Sequence, residues 1–517
     1  MLKPKYLQQL PDNMVELYSQ AEMDILADMA RRISTYDYFI PAAQWQYKKL
    51  IEMGNYHSHV MQTLSALTGK TRQEIEALMQ EAGQKALHFD DSIYRKAGLD
   101  PPPLSASPAL QSVLASGVEK TNGLFQNLTR TTANTSGKQF EQALDQAYMQ
   151  ITSGAFDHNT AIRNAIKNLA EKGIASVEYP TGRVEYIETA VRRATLTGVN
   201  QTALRLQDAR AEEMGSDLVE TTAHAGARPS HADWQGKVFS RSGAHRKYPD
   251  FVKSTGYGTG PGLGGWNCRH SYFPYFEGLS DSAYSKTDLA EMNAKTIAYN
   301  GDKLTEYEAS QKQRHIERQL RRWKREYVGM EAAGQPTEEA AAKVAHWGGV
   351  QNDFLEQTGF KRQSDREQIA GFGRSQAGKA AHQAKLPEEV VRFNKNHRAM
   401  TDEQRLPGYK NATIPDAKLS GYALNKEHPV GRNKAVVFES ALGYNSSNQA
   451  QLVKQVKAGL SDYQAKARPE TQYGKPFEVD MMVKGANGKY AKVKTGWIIE
   501  PDSSNPRLTT IYVDKKG

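Results

Sequence analysis

From Met14 onward, apolar side chains return every three or four positions, at Met14, Tyr18, Ala21, Ile25 and Met29. That period predicts a helix with one buried stripe, and Pro11 just ahead of it is tolerated in a first helical turn. A second helix is predicted where Thr71 and Glu74 stand at capping-box spacing before Ile75, Leu78, Met79 and Ala82, with Gly69 closing the helix before it. Ile162, Ile166 and Leu169 repeat the helical period as far as a stop at Gly173. The period then shortens: SVEYPTGRVEYI reads as two short strands about Pro180, Thr181 and Gly182. A long helix follows from about Glu188 to Met214, stopped by Gly215, and the strand-like run from Asp217 to Glu220 leads on from it. Downstream, Ile316, Leu320, Trp323 and Tyr327 form a narrow helical seam within residues 306–327. Near the end, FEVDMMVKG, KYAKVKTGWIIE and LTTIYVD alternate as strands, and Asn487-Gly488 is a hairpin signal.

These patterns predict a multidomain α+β protein: a mainly helical body with a small mixed, glycine-rich central domain, followed by a C-terminal α+β domain with an antiparallel sheet. The expected divisions are a helical domain over 1–100, a helical connector over 101–154 entered through the proline-stiffened LDPPPLSASPAL, and the central α+β domain over 155–280. A helical region over 281–385, a polar linker over 386–411 and the C-terminal domain over 412–517 complete the order.

At 517 residues the chain is long enough for several cores. It has 67 Lys and Arg against 58 Asp and Glu, a net charge of +9 that permits contact with nucleic acid or an acidic protein surface without requiring it. One cysteine excludes an intramolecular disulfide framework and any zinc module built on several cysteines, and fits a reducing compartment. The opening residues lack the basic start and apolar run of a signal peptide, and no stretch approaches the ~20 apolar residues of a membrane span, so the expectation is a soluble protein made in the cytoplasm.

Chemistry concentrates between Thr222 and Gly278. His224, Arg228, His231, Trp234, Gln235, Asn267, Cys268, Arg269 and His270 gather around Gly256, Gly258, Gly260, Gly262, Gly264 and Gly265, where the backbone must turn tightly or pass close to itself. Three readings of this cluster stand: a hydrogen-bonded polar core, a zinc site using the three histidines His224, His231 and His270 and the Cys268 thiolate, with atypical Cys-x-His spacing, and a Cys268 nucleophile with His231 as base. The seam helix has its own ambiguity. Between Arg314 and Glu326 it carries six Lys or Arg against two Glu, and Arg314, Arg318, Arg321, Arg322 and Arg325 describe either a solvated face or a contact for DNA phosphates or an acidic partner. GFGRSQAGK at 371–379 lacks the preceding strand and the Gly-Lys-Ser/Thr ending of a phosphate loop, so no nucleotide site is expected there.

The run from His224 to His231, Trp234-Gln-Gly-Lys237, Thr255-Gly-Tyr-Gly258, Gly262-Leu263 and Asn267-Cys-Arg-His270 closely resembles the phage minor capsid protein 2 family, itself similar to Mu-type head-morphogenesis proteins. LPDNMVELY near the start, residues 192–200 and QKQRHIERQLRRWKR agree with it, so the resemblance covers about residues 5–385. It implies a low-copy virion protein of a tailed phage, present in the host cytoplasm during head assembly and associated with the portal and head proteins, with phage DNA as a further contact. Paired cysteines in the Mu-type relatives suggest zinc there, whereas this chain has one.

The C-terminal residues Leu419, Tyr422, His428-Pro-Val-Gly431, Lys434, Thr495-Gly-Trp497 and Leu508-Thr-Thr-Ile-Tyr512 resemble a small domain at the ends of bacterial polymorphic toxins. That resemblance implies a delivered effector with an immunity protein as partner. On a metal-independent nuclease reading His428 would move protons while Lys434, Thr495 and Thr509 hold a phosphate. On the alternative reading the unit is an interaction domain and His-Pro-Val-Gly only makes a turn.

Overall fold

The computed structural model describes residues 1–399 and 402–514 and divides into two compact units, residues 1–329 with 343–377 and residues 330–342 with 378–517.

In the first unit the helices assemble about one 45-residue helix, Pro108–Thr152. Ser107 caps it, its Oγ accepting from the Leu110 backbone N–H at 3.3 Å. The residues expected as a connector therefore form the axis of a bundle, and the helices Ala42–Ser65, Thr68–Lys96, His158–Lys172 and Ile187–Glu213 pack around it. Its buried stripe includes Leu110, Gly117, Thr121, Phe125, Leu128, Thr132, Ser136, Phe140 and Leu144. So many of these positions are small or hydroxylic that the stripe is faint in hydropathy. Small residues bring the axis helix close to Ile187–Glu213: Gly117 lies under Thr202, and Gly198 lies under Thr121. Each glycine receives the other helix's threonine, four residues apart on both helices, a reciprocal knob-and-hole contact.

The two predicted strands pair as an antiparallel hairpin, Ala175–Glu178 with Val184–Tyr186. A three-stranded antiparallel sheet follows in spatial order Val238–Ser240, Leu218–Thr221, Tyr272–Pro274. Leu204, Val219, Trp234, Phe239, Phe251, Leu263 and Tyr272 form the core beneath it.

The basic seam helix is Glu306–Ala332. Ile316 and Leu320 bury with Leu304, Ala309 and Phe354, as the seam predicts. Two of its five arginines turn inward, so the run does not form one continuous phosphate-binding face. Arg321 and Arg325 are buried. Arg321 Nε lies 3.0 Å from Glu188, and its Nη1 donates to the Gln368 carbonyl at 2.9 Å. Arg325 donates to the carbonyls of Ala170 and Glu171 at 3.1 and 3.4 Å, closing the C-terminal end of helix His158–Lys172, where unpaired carbonyls and the helix dipole attract a cation. Arg322 is half-buried with Glu171 at 3.8 Å, Arg314 is half-buried, and Arg318 is exposed. The charge is drawn inward because Glu22 and Glu188 come from distant helices to meet it.

The second unit is built on a four-stranded antiparallel sheet in spatial order Arg507–Val513, Tyr490–Ile499, Lys475–Lys484, Ala465–Ala467. Gly485 to Lys489 close the predicted hairpin, with Gly488 at φ 80°. Helices Arg432–Leu442 and Gln449–Asp462 contribute Phe438, Leu442, Leu452, Val456 and Leu460 to a core with Val479, Met481, Val493, Trp497 and Ile511. The stretch expected as a linker is part of this unit. Helix Glu388–His397 buries Val390 and Asn394, the Tyr463 hydroxyl donates to Asn394 at 2.7 Å, and Leu406 is fully buried in the core. Its apolar anchors are single residues in a polar background, too sparse to give a period; Met400 and Thr401 lie outside the described residues. Among the described residues no helix is long and apolar enough to cross a membrane.

Candidate functional site

The glycine-rich stretch folds as a loop whose backbone passes against itself. Gly256 ends helix Phe251–Thr255 at φ 64°, and a side chain on Gly262 would overlap the Gly256 backbone. Asn267, at φ 54°, then turns the chain so that Cys268 and His270 enter the interior, while the short helix Pro229–Ala232 delivers His231 from the other side.

Here three of the residues singled out in the sequence meet. His231 Nδ1 lies 3.3 Å from His270 Nδ1, and Cys268 Sγ is 3.9 Å and 3.6 Å from those two nitrogens. All three residues are at most 2% exposed. Trp234 packs against both imidazoles, at 4.6 Å from the ring of His231 and 4.7 Å from that of His270. His224 stacks on His270 with ring centres 4.5 Å apart. Its Nδ1 faces the Ala225 carbonyl at 2.8 Å, so it donates there and leaves Nε2 as the bare nitrogen, buried and without a hydrogen-bond partner. Arg228 stays at the rim, where its guanidinium donates to the Trp266 carbonyl at 2.6 Å. Burial, helped by the charge of Arg269, lowers the His224 imidazole to about 4. Burial also lowers His231 and His270 and raises the Cys268 thiol. A nucleophilic cysteine requires an accessible thiolate, and this environment opposes one.

Gln235, one of the residues singled out in the sequence, supports the node, and so does Asn200, which was not legible as a site residue. Gln235 accepts from the His224 backbone N–H at 3.2 Å and faces His270 Nε2 at 3.1 Å with the same Oε1. Asn200, on the long helix, donates to the carbonyls of Cys268 and His270 at 3.3 and 3.4 Å. Seven positions along, Gln207 donates to the Tyr272 carbonyl and to Asp90, both at 2.7 Å. Polar residues one heptad apart on the core side of a helix are the signal that could have exposed this role.

Beside the node lies a cleft of about 720 Å³ whose lining includes Lys3, Lys5, Arg269, Arg314, Lys361 and Arg366. Burial, then the neighbouring charges of Arg366 and Arg269, lower Arg314 to about 10. Cations thus outnumber the one lining carboxylate, Glu306, around an open space.

In the second unit His428 and Lys434 come to the same aromatic ring, Tyr422. The His428 ring meets it edge-on at 4.8 Å, and the Lys434 ammonium lies 5.1 Å over it and 5.4 Å over Tyr512. His428 Nδ1 accepts from the backbone N–H groups of Val430 and Gly431 at 3.2 and 2.9 Å, which leaves Nε2 to carry any proton traffic. The two threonines expected beside them sit elsewhere. Thr495 is fully buried, donating to the Val479 carbonyl at 2.9 Å and accepting from Trp497 Nε1 at 2.8 Å, because its strand position faces the core. Thr509 is the unpaired residue of a bulge, and Thr510 instead accepts from Lys434 at 3.0 Å.

The fold and this node define a mainly helical α+β protein with a glycine-braced mixed subdomain and a second, separately cored unit. Residues 2–356 match the family described as phage minor capsid protein 2, and the chain belongs to that family. Residues 405–515 match a domain of unknown function, DUF6883. The chain is 26% identical to a structural protein of Lactococcus phage LL-H over 348 residues, 63% of this chain and 88% of the relative. It is 34% identical to a structural protein of Lactococcus phage mv4 over 129 residues, 24% of this chain and 95% of the relative. No solved structure matches.

Proposed function

We propose that the chain is a minor component of a tailed-phage particle, held at the head against portal and head proteins and acting in head assembly or DNA delivery. The observation that carries this reading is the family match over residues 2–356, which takes in the whole bundle axis and the entire node. The cationic cleft supports it, because a concave cluster of Lys and Arg suits an acidic surface on a partner head protein. Co-expression with the portal protein of the same phage tests it: the two are expected to co-purify, and Arg314→Glu with Arg366→Glu to weaken the association. Independent migration of the wild-type chain and portal would overturn the portal contact.

A second reading concerns the second unit alone. Its own core, with Tyr422, His428, Lys434 and Tyr512 gathered on it, favours a delivered effector that acts on a phosphate-bearing substrate, with an immunity protein as its partner. Burial lowers the Lys434 ammonium from its ordinary range, as suits a group that recovers its charge on meeting an anion. Expression of the full chain in bacteria is expected to slow growth, and His428→Ala and Lys434→Ala to relieve it. Unimpaired growth with no nucleic-acid cleavage would leave the unit an interaction domain.

A further inference from the structure

The hydrogen-bond partners of the node fix its tautomers. Pro261 presents a carbonyl oxygen to His231 Nε2 at 2.9 Å, and a carbonyl can only accept, so His231 carries its hydrogen on Nε2. Gln235 Oε1 already accepts from the His224 backbone N–H, which identifies that atom as the amide oxygen, so His270 also donates through Nε2. Both Nδ1 atoms are therefore bare lone pairs. They face each other at 3.3 Å, with the Cys268 sulfur closing the triangle. Two lone pairs at hydrogen-bond distance with no hydrogen between them repel. The thiol has one hydrogen and can satisfy one of the two nitrogens, which leaves the other orphaned in a buried site.

We infer that His231 Nδ1, His270 Nδ1 and Cys268 Sγ bind a zinc ion. With zinc–nitrogen bonds of about 2.05 Å and a zinc–sulfur bond of about 2.3 Å, a tetrahedral ion places its nitrogens about 3.3 Å apart and each nitrogen about 3.6 Å from the sulfur. The three edges here are 3.3, 3.6 and 3.9 Å, so the ligand atoms already stand close to coordination spacing. These are the only three such residues that converge among the described residues, and each is buried. The surroundings match what zinc-bound histidines need. Each imidazole donates its other N–H to a carbonyl-type oxygen, Pro261 and Gln235, which orients the ring and raises its basicity. Asn200 holds the Cys268 and His270 backbone in place from the long helix. Binding releases the thiol proton to solvent. The ion would join the glycine loop, the His231 helix and the edge strand at one point, which is a structural role.

The test uses the full chain, purified without chelator and then stripped and reloaded. Metal analysis is expected to find one equivalent of zinc that survives dialysis, and Cys268→Ser and His270→Gln to reduce it at least tenfold while His245→Gln, outside the node, retains it. Because those two variants can fail to fold, cobalt titration of the stripped wild-type chain provides a second readout. Tetrahedral visible bands with thiolate-to-cobalt charge transfer are expected, saturating at one equivalent and reversed by zinc. A folded wild-type chain that holds no zinc and gives only the spectrum of aqueous cobalt would overturn the site, as would full zinc retention by folded Cys268→Ser and His270→Gln.

Discussion

Replacing Arg325 by Ala is expected to destabilise the first unit by about 3–5 kcal/mol, the range for removing one partner of a buried charge network. Arg325 is 6% exposed and serves two roles at once. Its guanidinium closes the carbonyl end of helix His158–Lys172, and its charge offsets Glu22, a fully buried carboxyl whose pKa is raised by burial and drawn back by Arg325 and Arg321. The Ala variant leaves the carbonyls open and the acid facing one cation fewer. Arg318→Ala, on the exposed side of the same helix, is expected to change stability by no more than about 0.5 kcal/mol. Urea unfolding of both variants checks the contrast. Equal, small effects from the two substitutions would mean that the helix is a solvated face after all, and a loss of DNA affinity without a loss of stability would restore the phosphate contact.

The second large effect belongs to the crossing of the two long helices. In an isolated helix Gly198→Ala would gain about 1 kcal/mol from propensity. Here the added carbon would come within 2.5 Å of Thr121 Oγ1 and 2.9 Å of its Cγ2, so no rotation of that branched side chain clears the space. The helices must separate, and the net result is expected to be a loss of about 2–3 kcal/mol. Thr121→Ala in the Gly198→Ala background is expected to recover at least ~1 kcal/mol, a coupling that a double-mutant cycle in urea measures directly. A stabilised Gly198→Ala variant, or additive effects, would show that the helices do not pack as described.

Much of this architecture was legible because hydropathy carries it. The seam residues Ile316 and Leu320 are buried, the hairpin at Asn487-Gly488 forms, and the C-terminal strands pair into one antiparallel sheet. What was illegible depends on partners far away in the chain. Arg325 looks the same in sequence whether it meets water or the carbonyls of residues 170 and 171, and a charge run has no period that tells the two apart. The axis helix reads as a connector in sequence because Gly117, Thr121, Thr132 and Ser136 pack by size rather than hydrophobicity. At the node, composition pointed to His231, Cys268 and His270, yet Gln235 fixes the tautomer of His270 only once the fold brings it there. The burial of Thr495 is hidden in sequence for a simpler reason: one strand position decides whether a hydroxyl faces the core or the surface.

Cross-linking mass spectrometry on purified particles tests the proposed place of the chain at the portal. The chain is expected in the virion at low copy, with cross-links from residues of the first unit, Lys3, Lys5 and Lys361 at the cationic cleft foremost, to the portal protein. Recovery of the chain only from lysates of infected cells, or cross-links confined to tail proteins, would contradict it.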